Sequence, residues 1–91
     1  MNRTIVRAVQ TCQACPSQWD AWNEDGQYLY LRYRGGIGTV EVRDSPDYKT
    51  WDARKPPEIA FQHGDGLDGV ITLEEFAEHA LLTLALPGGA E

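Results

Sequence analysis

The sequence predicts an α+β fold in which a small antiparallel sheet of three or four strands packs against one C-terminal amphipathic helix. Two observations predict it: a pair of alternating apolar and polar runs over 28–43, and a helical apolar stripe after Thr72. The chain has 91 residues, which is enough for a single domain over 1–91 with one modest core.

The alternating runs predict a central hairpin over 28–43. Residues 28–34 (YLYLRYR) alternate with the period of a β-strand, so one face is mainly aliphatic and the other is aromatic and basic. A glycine-rich connector at 35–38 leads into a second alternating run over 39–43. The aromatic and basic face is expected to carry Tyr28, Tyr30, Arg32 and Arg34, joined by Arg43 of the second run.

Shorter elements are expected to complete the sheet. The β-branched run 4–9 predicts a first strand, and 58–62 predicts a short one. The segment 17–23 (SQWDAWN) is compatible with a short capped helical turn or with an irregular loop over the core. The segment 44–57, rich in Asp, Pro and Lys, is predicted to be a long surface loop, and loops of that length are often functional or mobile.

A capping box predicts the start of the helix, because Thr72 is followed three residues later by Glu75. Apolar residues then recur with helical spacing, which predicts a helix over about 73–86 that ends at the Pro-Gly-Gly of 87–89. In this helix Leu82 and Leu86 project opposite the apolar stripe. We therefore expect these two leucines to contact a partner or to form a homodimer through the helix.

The composition is that of an acidic, soluble protein. Residues 1–43 hold five arginines against four carboxylates (+1), and residues 44–91 hold three cations against ten carboxylates (−7), which gives the net charge of −6. Such a chain is poorly suited to nonspecific capture of nucleic acid and suits a basic partner protein or simple solubility. No apolar run approaches the roughly 20 residues of a membrane span, and no signal peptide is recognisable, so we expect no membrane contact and a cytoplasmic location.

The residues that bear reactive groups match no catalytic signature. Cys12 and Cys15 form a CxxC, but a structural zinc site needs four ligands, and His63 is far away in the sequence. A thioredoxin-like redox site would need a crossover helix where the hairpin is predicted. We therefore expect no cofactor and no enzyme; zinc held by Cys12, Cys15 and His63 stays an alternative.

The pattern CxxCPSQW at 12–19, followed by GQYLYLRYR at 26–34, resembles small uncharacterised proteins of actinobacteria and their bacteriophages. The similarity covers roughly residues 11–43 of the sequence. It implies no particular activity, and it implies a phage-encoded protein that acts in the host cytoplasm.

The leading functional hypothesis is a non-enzymatic interaction protein that binds or modulates a host protein. One alternative is a single-stranded nucleic-acid binder, since such proteins stack bases on aromatic rings and contact phosphate with arginine. Another is a small zinc or thiol-redox protein that uses the CxxC. The residues expected to bind the partner are Tyr28, Tyr30, Arg32, Arg34, Arg43, Leu82 and Leu86.

Overall fold

The computed structural model describes residues 1–12, 17–66 and 68–87. In these ranges the chain forms six β-strands, one α-helix and a turn of 3₁₀-helix at Tyr48–Thr50. The strands are β1 (Thr4–Cys12), β2 (Ser17–Asn23), β3 (Tyr28–Arg34), β4 (Ile37–Val42), β5 (Ile59–Gln62) and β6 (Thr83–Leu84), and the helix α1 covers Leu73–Ala80.

The six strands form one mixed sheet in the order β5-β4-β3-β2-β1-β6. Strands β1 to β5 pair antiparallel with their chain neighbours, whereas β6 lies parallel to β1 at the edge. The sheet curls into a half-barrel beside one short helix. The prediction of a small sheet of three or four strands is therefore wrong, although the broad α+β class holds. The two strands that were not predicted are β2 and β6.

Strand β2 was not predicted because its inward-facing positions include polar residues. Ser17 and Asn23 are both buried at the two ends of the strand. Their side chains are hydrogen-bonded: Ser17 Oγ donates to the carbonyl of Gly69 at 3.0 Å, and Asn23 Oδ1 accepts two backbone N–H groups of the following turn. Buried polar groups need such partners, and the partner of Ser17 lies 52 residues away in the sequence.

The central hairpin is confirmed. Strands β3 and β4 pair from Leu29 opposite Val42 to Arg34 opposite Ile37. The connector is shorter than the predicted 35–38, because only two glycines at 35 and 36 separate the strands, with φ of 61° and 75°. Positive φ at both central residues is the pattern of a type I′ turn, which glycine adopts without steric cost.

Helix α1 begins as predicted and ends earlier than predicted. Thr72 Oγ1 accepts the N–H of Glu75 at 3.1 Å, which confirms Thr72 as the N-cap, and the Thr72 hydroxyl also contacts Glu75 Oε1 at 3.2 Å. The helix ends at Ala80 because Leu81 adopts left-handed backbone angles (φ 60°, ψ 42°). Across the described residues, no helix combines the length and apolar character needed to cross a membrane.

Leu82 and Leu86 do not project from an exposed helix face, so that prediction is wrong. The N–H of Leu82 donates to the carbonyl of Ala77 at 2.8 Å in a Schellman-type cap, and its side chain is only 8% exposed. The chain then runs extended, and Leu84 and Leu86 pack against the core. Among the leucines that the structure describes, Leu81 is the exposed one, at 73%. The predicted homodimer contact through the helix thereby loses its basis.

Helix α1 packs on one face of the sheet, called the inner face. Phe76 lies between Trp19 and Phe61, with ring centroids 5.7 and 5.0 Å away. The aliphatic side of the hairpin faces this core, as the alternation predicts. Other buried apolar residues of the core are Ile5, Ala21, Leu29, Leu31, Tyr33, Val40, Ile71, Leu73, Ala77, Ala80 and Leu82. The opposite face of the sheet is called the outer face, and helix α1 does not cover it.

Candidate interaction surface

The strand register determines the composition of the outer face. Directly opposite residues of neighbouring strands share a face and contact each other. The aromatic and basic side of β3 therefore lies in the middle of the outer face. Its cross-strand pairs are Trp22 with Tyr28, Asp20 with Tyr30, Gln18 with Arg32, Glu41 with Tyr30, and Thr39 with Arg32.

The outer face is positively charged, although the protein as a whole is acidic. Its strand residues provide three arginines against two carboxylates, and Arg43, which directly follows β4, adds a fourth arginine, so the surplus is two positive charges. Because the whole chain carries −6, the rest of the molecule carries −8. The charged residues of the face are Arg7, Arg32, Arg34, Arg43, Asp20 and Glu41.

The segment 46–57, called the strap, crosses one end of the outer face. Trp51 is the one half-buried residue of the strap, and its other residues are exposed. The Trp51 ring lies 4.9 Å from the ring of Tyr30 and 6.3 Å from that of Tyr28, measured between centroids. The guanidinium of Arg43 lies 5.1 Å from the Trp51 centroid, which is within cation–π range. Trp51 therefore anchors the strap to the sheet.

Two of the predicted binding residues are buried under the strap. Tyr28 is 3% exposed, and its hydroxyl donates to Asp20 Oδ1 at 2.5 Å. Burial, followed by this hydrogen bond, raises the pKa of Tyr28 above its usual range. Arg43 is 7% exposed, donates to Glu41 through Nε and Nη2, and donates to the carbonyl of Asp52 through Nη1 at 2.9 Å. These residues support the surface and are not exposed on it.

The other end of the outer face forms the open patch, defined by Tyr30, Arg32, Arg34, Ile37 and Thr39. Arg34 is exposed, Ile37 is 44% exposed, and the other three are half-buried. Four of the five, all except Tyr30, line a groove of about 180 Å³. The sequence pattern predicted Tyr30, Arg32 and Arg34. It did not single out Ile37 and Thr39, although Thr39 fell on the same face by alternation.

Arg32 has an unused hydrogen-bond donor. Its Nε atom is buried and has no acceptor within the described ranges. Burial of a charged donor without a partner is unfavourable, so a negative charge beside the part of Arg32 that lines the groove would stabilise this side chain. Burial raises the pKa of the neighbouring Tyr30, and the positive charge of Arg32 partly opposes that shift. The open patch thus combines a neutral phenol with an incompletely paired cation.

A larger concavity of about 470 Å³ lies where β1 begins and the β2–β3 turn ends. Part of its polar lining is bonded within the chain. The side-chain amide of Gln27 donates to the carbonyl of Arg43 at 2.6 Å, and Lys55 Nζ donates to the carbonyl of Val42 at 3.0 Å. These bonds stabilise the loops that form the concavity.

The residues considered for zinc are distributed over the fold. Cys12 ends β1 in register with Gln18, and Cys15 lies outside the described residues. The ring of His63 lies 4.1 Å from that of His79, centroid to centroid, on the side of the sheet covered by α1. Over the ranges that the structure describes, no group of three or more His, Cys, Asp or Glu side chains is placed to hold a metal ion.

The open patch is therefore the best-defined candidate site on the described part of the molecule. It combines an uncovered sheet face, a local charge opposite to that of the rest of the chain, and an arginine with an unused donor. Comparisons with protein-family models, curated proteins and solved structures find no match to this chain.

Proposed function

We propose that this chain is a non-enzymatic binding protein that engages another protein through the open patch. One observation carries the proposal: α1 covers the inner face and the strap covers one end of the outer face, while aromatic, cationic and aliphatic side chains stay at the surface of the open patch. Tyrosine and arginine are enriched among the residues that contribute most to protein–protein affinity.

The open patch has a rigid base, which favours a binding role. Strand β3 is central and is paired with β2 and β4 on its two sides. The ring of Tyr30 is packed against Trp51 of the strap. A surface that is already ordered loses less conformational entropy when it binds, so more of the contact energy appears as affinity.

The same side chains favour a second candidate, a single-stranded nucleic-acid binder. Such proteins stack successive bases on exposed rings. Here Trp22 packs between the guanidinium of Arg7 at 4.5 Å and the ring of Tyr28 at 5.6 Å, and Tyr28 is buried. Among the described outer-face strands this leaves Tyr30 as the principal ring for stacking, and the charge of −8 elsewhere opposes a long polyanion. A protein partner is therefore the better proposal.

The resemblance of the pattern at 12–34 to proteins of actinobacteria and their bacteriophages supports a host protein as the partner. We accordingly propose that the chain is phage-encoded and acts in the host cytoplasm. The proposal assigns it binding or modulation of that protein, with no reaction of its own.

Capture from an actinobacterial lysate tests this function. The tagged wild-type chain, an Ile37→Ser variant and a Val70→Ser variant are compared; both positions are exposed, and only Ile37 belongs to the open patch. We expect one discrete protein to be retained by wild type and by Val70→Ser, and to be strongly reduced with Ile37→Ser. Retention of no protein, or equal retention by all three chains, would refute the proposal.

Fluorescence anisotropy with a labelled oligothymidine distinguishes the protein-binding proposal from the second candidate, a single-stranded nucleic-acid binder. The protein-binding proposal expects no salt-sensitive association of the oligonucleotide with wild type at low salt. Salt-sensitive binding that Arg34→Glu abolishes would favour the nucleic-acid binder instead, because phosphate contacts weaken steeply as salt rises.

A further inference from the structure

We propose that the groove between Arg32 and Arg34 binds a side-chain carboxylate, so that the partner presents an acidic segment to the open patch. The inference rests on the proposed protein-binding function and names the chemistry of the partner. Three observations support it: the two arginines of the groove, the pairing of Arg43 with Glu41 on the same face, and the distribution of charge over the molecule.

The groove has the size and lining for one small anionic group. Its volume is about 180 Å³, and Arg32, Arg34, Ile37 and Thr39 line it. Two guanidinium groups can hold a carboxylate through paired, parallel hydrogen bonds. The hydroxyl of Thr39 provides a further donor, and the aliphatic side chain of Ile37 can pack against the methylene groups that carry a carboxylate.

Arg43 shows how an arginine is paired on this same face. It directs both Nε and Nη2 to one carboxylate oxygen of Glu41, its neighbour on the sheet. Arg32 lies opposite Thr39 and Gln18, neither of which is ionised, and its buried Nε has no acceptor in the described part of the chain. Arg32 therefore lacks the carboxylate that Arg43 has, and a partner would supply one to the part of Arg32 that lines the groove.

The charge distribution favours an acidic peptide segment over a nucleic acid. The outer-face strands together with Arg43 carry a surplus of two positive charges, while the rest of the chain carries −8. A short acidic segment reaches only the positive groove. A long phosphate backbone would also pass along the acidic remainder of the molecule, where like charges repel.

Nuclear magnetic resonance of the arginine Nε–Hε groups tests the inference on the full chain. The probes are the capped peptide acetyl-Gly-Glu-Glu-Gly-amide, its glutamine counterpart, inorganic phosphate and oligothymidine. We expect the glutamate peptide to shift the Arg32 and Arg34 signals in a saturable way. The Arg43 signal should stay in place, and the glutamine peptide should cause no such shift.

The Arg32→Lys variant keeps the charge and removes the planar donor pair. Binding of the glutamate peptide should weaken about tenfold, because one charge-assisted hydrogen bond is worth roughly that factor. The control is Arg54→Lys, at an exposed position of the strap. Equal shifts with both peptides, no shift with the glutamate peptide, or tighter binding of phosphate or oligothymidine would overturn the inference.

The two proposals fail in distinguishable ways. If the glutamate peptide leaves Arg32 unmoved while Ile37→Ser still loses the lysate partner, the carboxylate site is refuted and the protein-binding function stands. If capture is also independent of the open patch, both proposals are refuted. The peptide titration uses the wild-type chain, so its result does not depend on whether a variant folds.

Discussion

The hydroxyl of Tyr28 donates a 2.5 Å hydrogen bond to the carboxylate of Asp20, from β3 to β2, and the Tyr28 ring also packs near Trp51 of the strap. One side chain thus bonds to the sheet and contacts the segment that covers it. The position of the strap therefore depends in part on this buried ring.

Replacement of Tyr28 by Phe should destabilise the fold by about 1–2 kcal/mol, because it removes one charge-assisted hydrogen bond and leaves Asp20 without that donor. Urea unfolding at pH 7 measures the change. Tyr48→Phe is the matched control, since Tyr48 is exposed on the strap. Equal effects of the two substitutions would contradict a structural role for the Tyr28–Asp20 bond.

Stability should fall as the pH rises above about 10, the pKa of an unperturbed tyrosine. Burial is the main cause that raises the pKa of Tyr28, Tyr30 and Tyr33. A raised folded-state pKa keeps the phenol protonated, so its contribution is complete below the unfolded pKa and is lost as the pH rises toward the folded value. Tyrosinate absorbance near 295 nm should therefore develop fully only when circular dichroism shows unfolding. Reversible ionisation of all tyrosines near pH 10 in the folded state would contradict this.

Removal of the strap anchor by Trp51→Ala should destabilise the fold by about 1–2 kcal/mol, as expected for a half-buried ring with two aromatic neighbours. The near-ultraviolet circular dichroism should weaken as well, because the rings of Tyr28 and Tyr30 lose their neighbour. Tyr48→Ala in the same strap should leave stability almost unchanged. An unchanged spectrum in Trp51→Ala would show that the strap is not held on the outer face.

Alanine substitutions of the adjacent residues Leu81 and Leu82 test where helix α1 ends. Leu82→Ala should cost about 2–3 kcal/mol because it opens a cavity in the core, whereas Leu81→Ala should change stability by about 0.5 kcal/mol or less. Thermal or urea unfolding of both variants measures the contrast. A larger loss for Leu81→Ala would mean that the helix continues past Ala80.

Local signals in the sequence were sufficient for the hairpin and for the start of the helix. The paired glycines 35 and 36 and the capping box at Thr72 act through neighbouring residues, so they can be recognised without knowledge of the fold. The end of the helix depends on Leu81 in a left-handed conformation, which leucine rarely adopts. The leucines at 82, 84 and 86 also fit the period of a strand, and pairing of β6 with β1 decided between the two patterns.

The open patch was predicted in part, because alternation identifies which residues share a face and does not show what covers them. Tyr28 and Arg43 were expected at the surface, but Trp51 of the strap lies over them. The contact of Trp51 with Tyr28 joins β3 to a segment that follows β4, so alternation within the hairpin does not reveal it. The importance of Ile37 likewise depends on the position of the two-residue turn, which places it opposite Arg34.

Hydrogen–deuterium exchange of the chain with its captured partner locates the binding surface without any substitution. If the partner binds the open patch, exchange should slow in peptides that cover 30–39, with little change over the strap at 46–57 or over helix α1. Protection confined to the strap or to α1, with 30–39 unchanged, would contradict binding through the open patch and place the binding surface elsewhere.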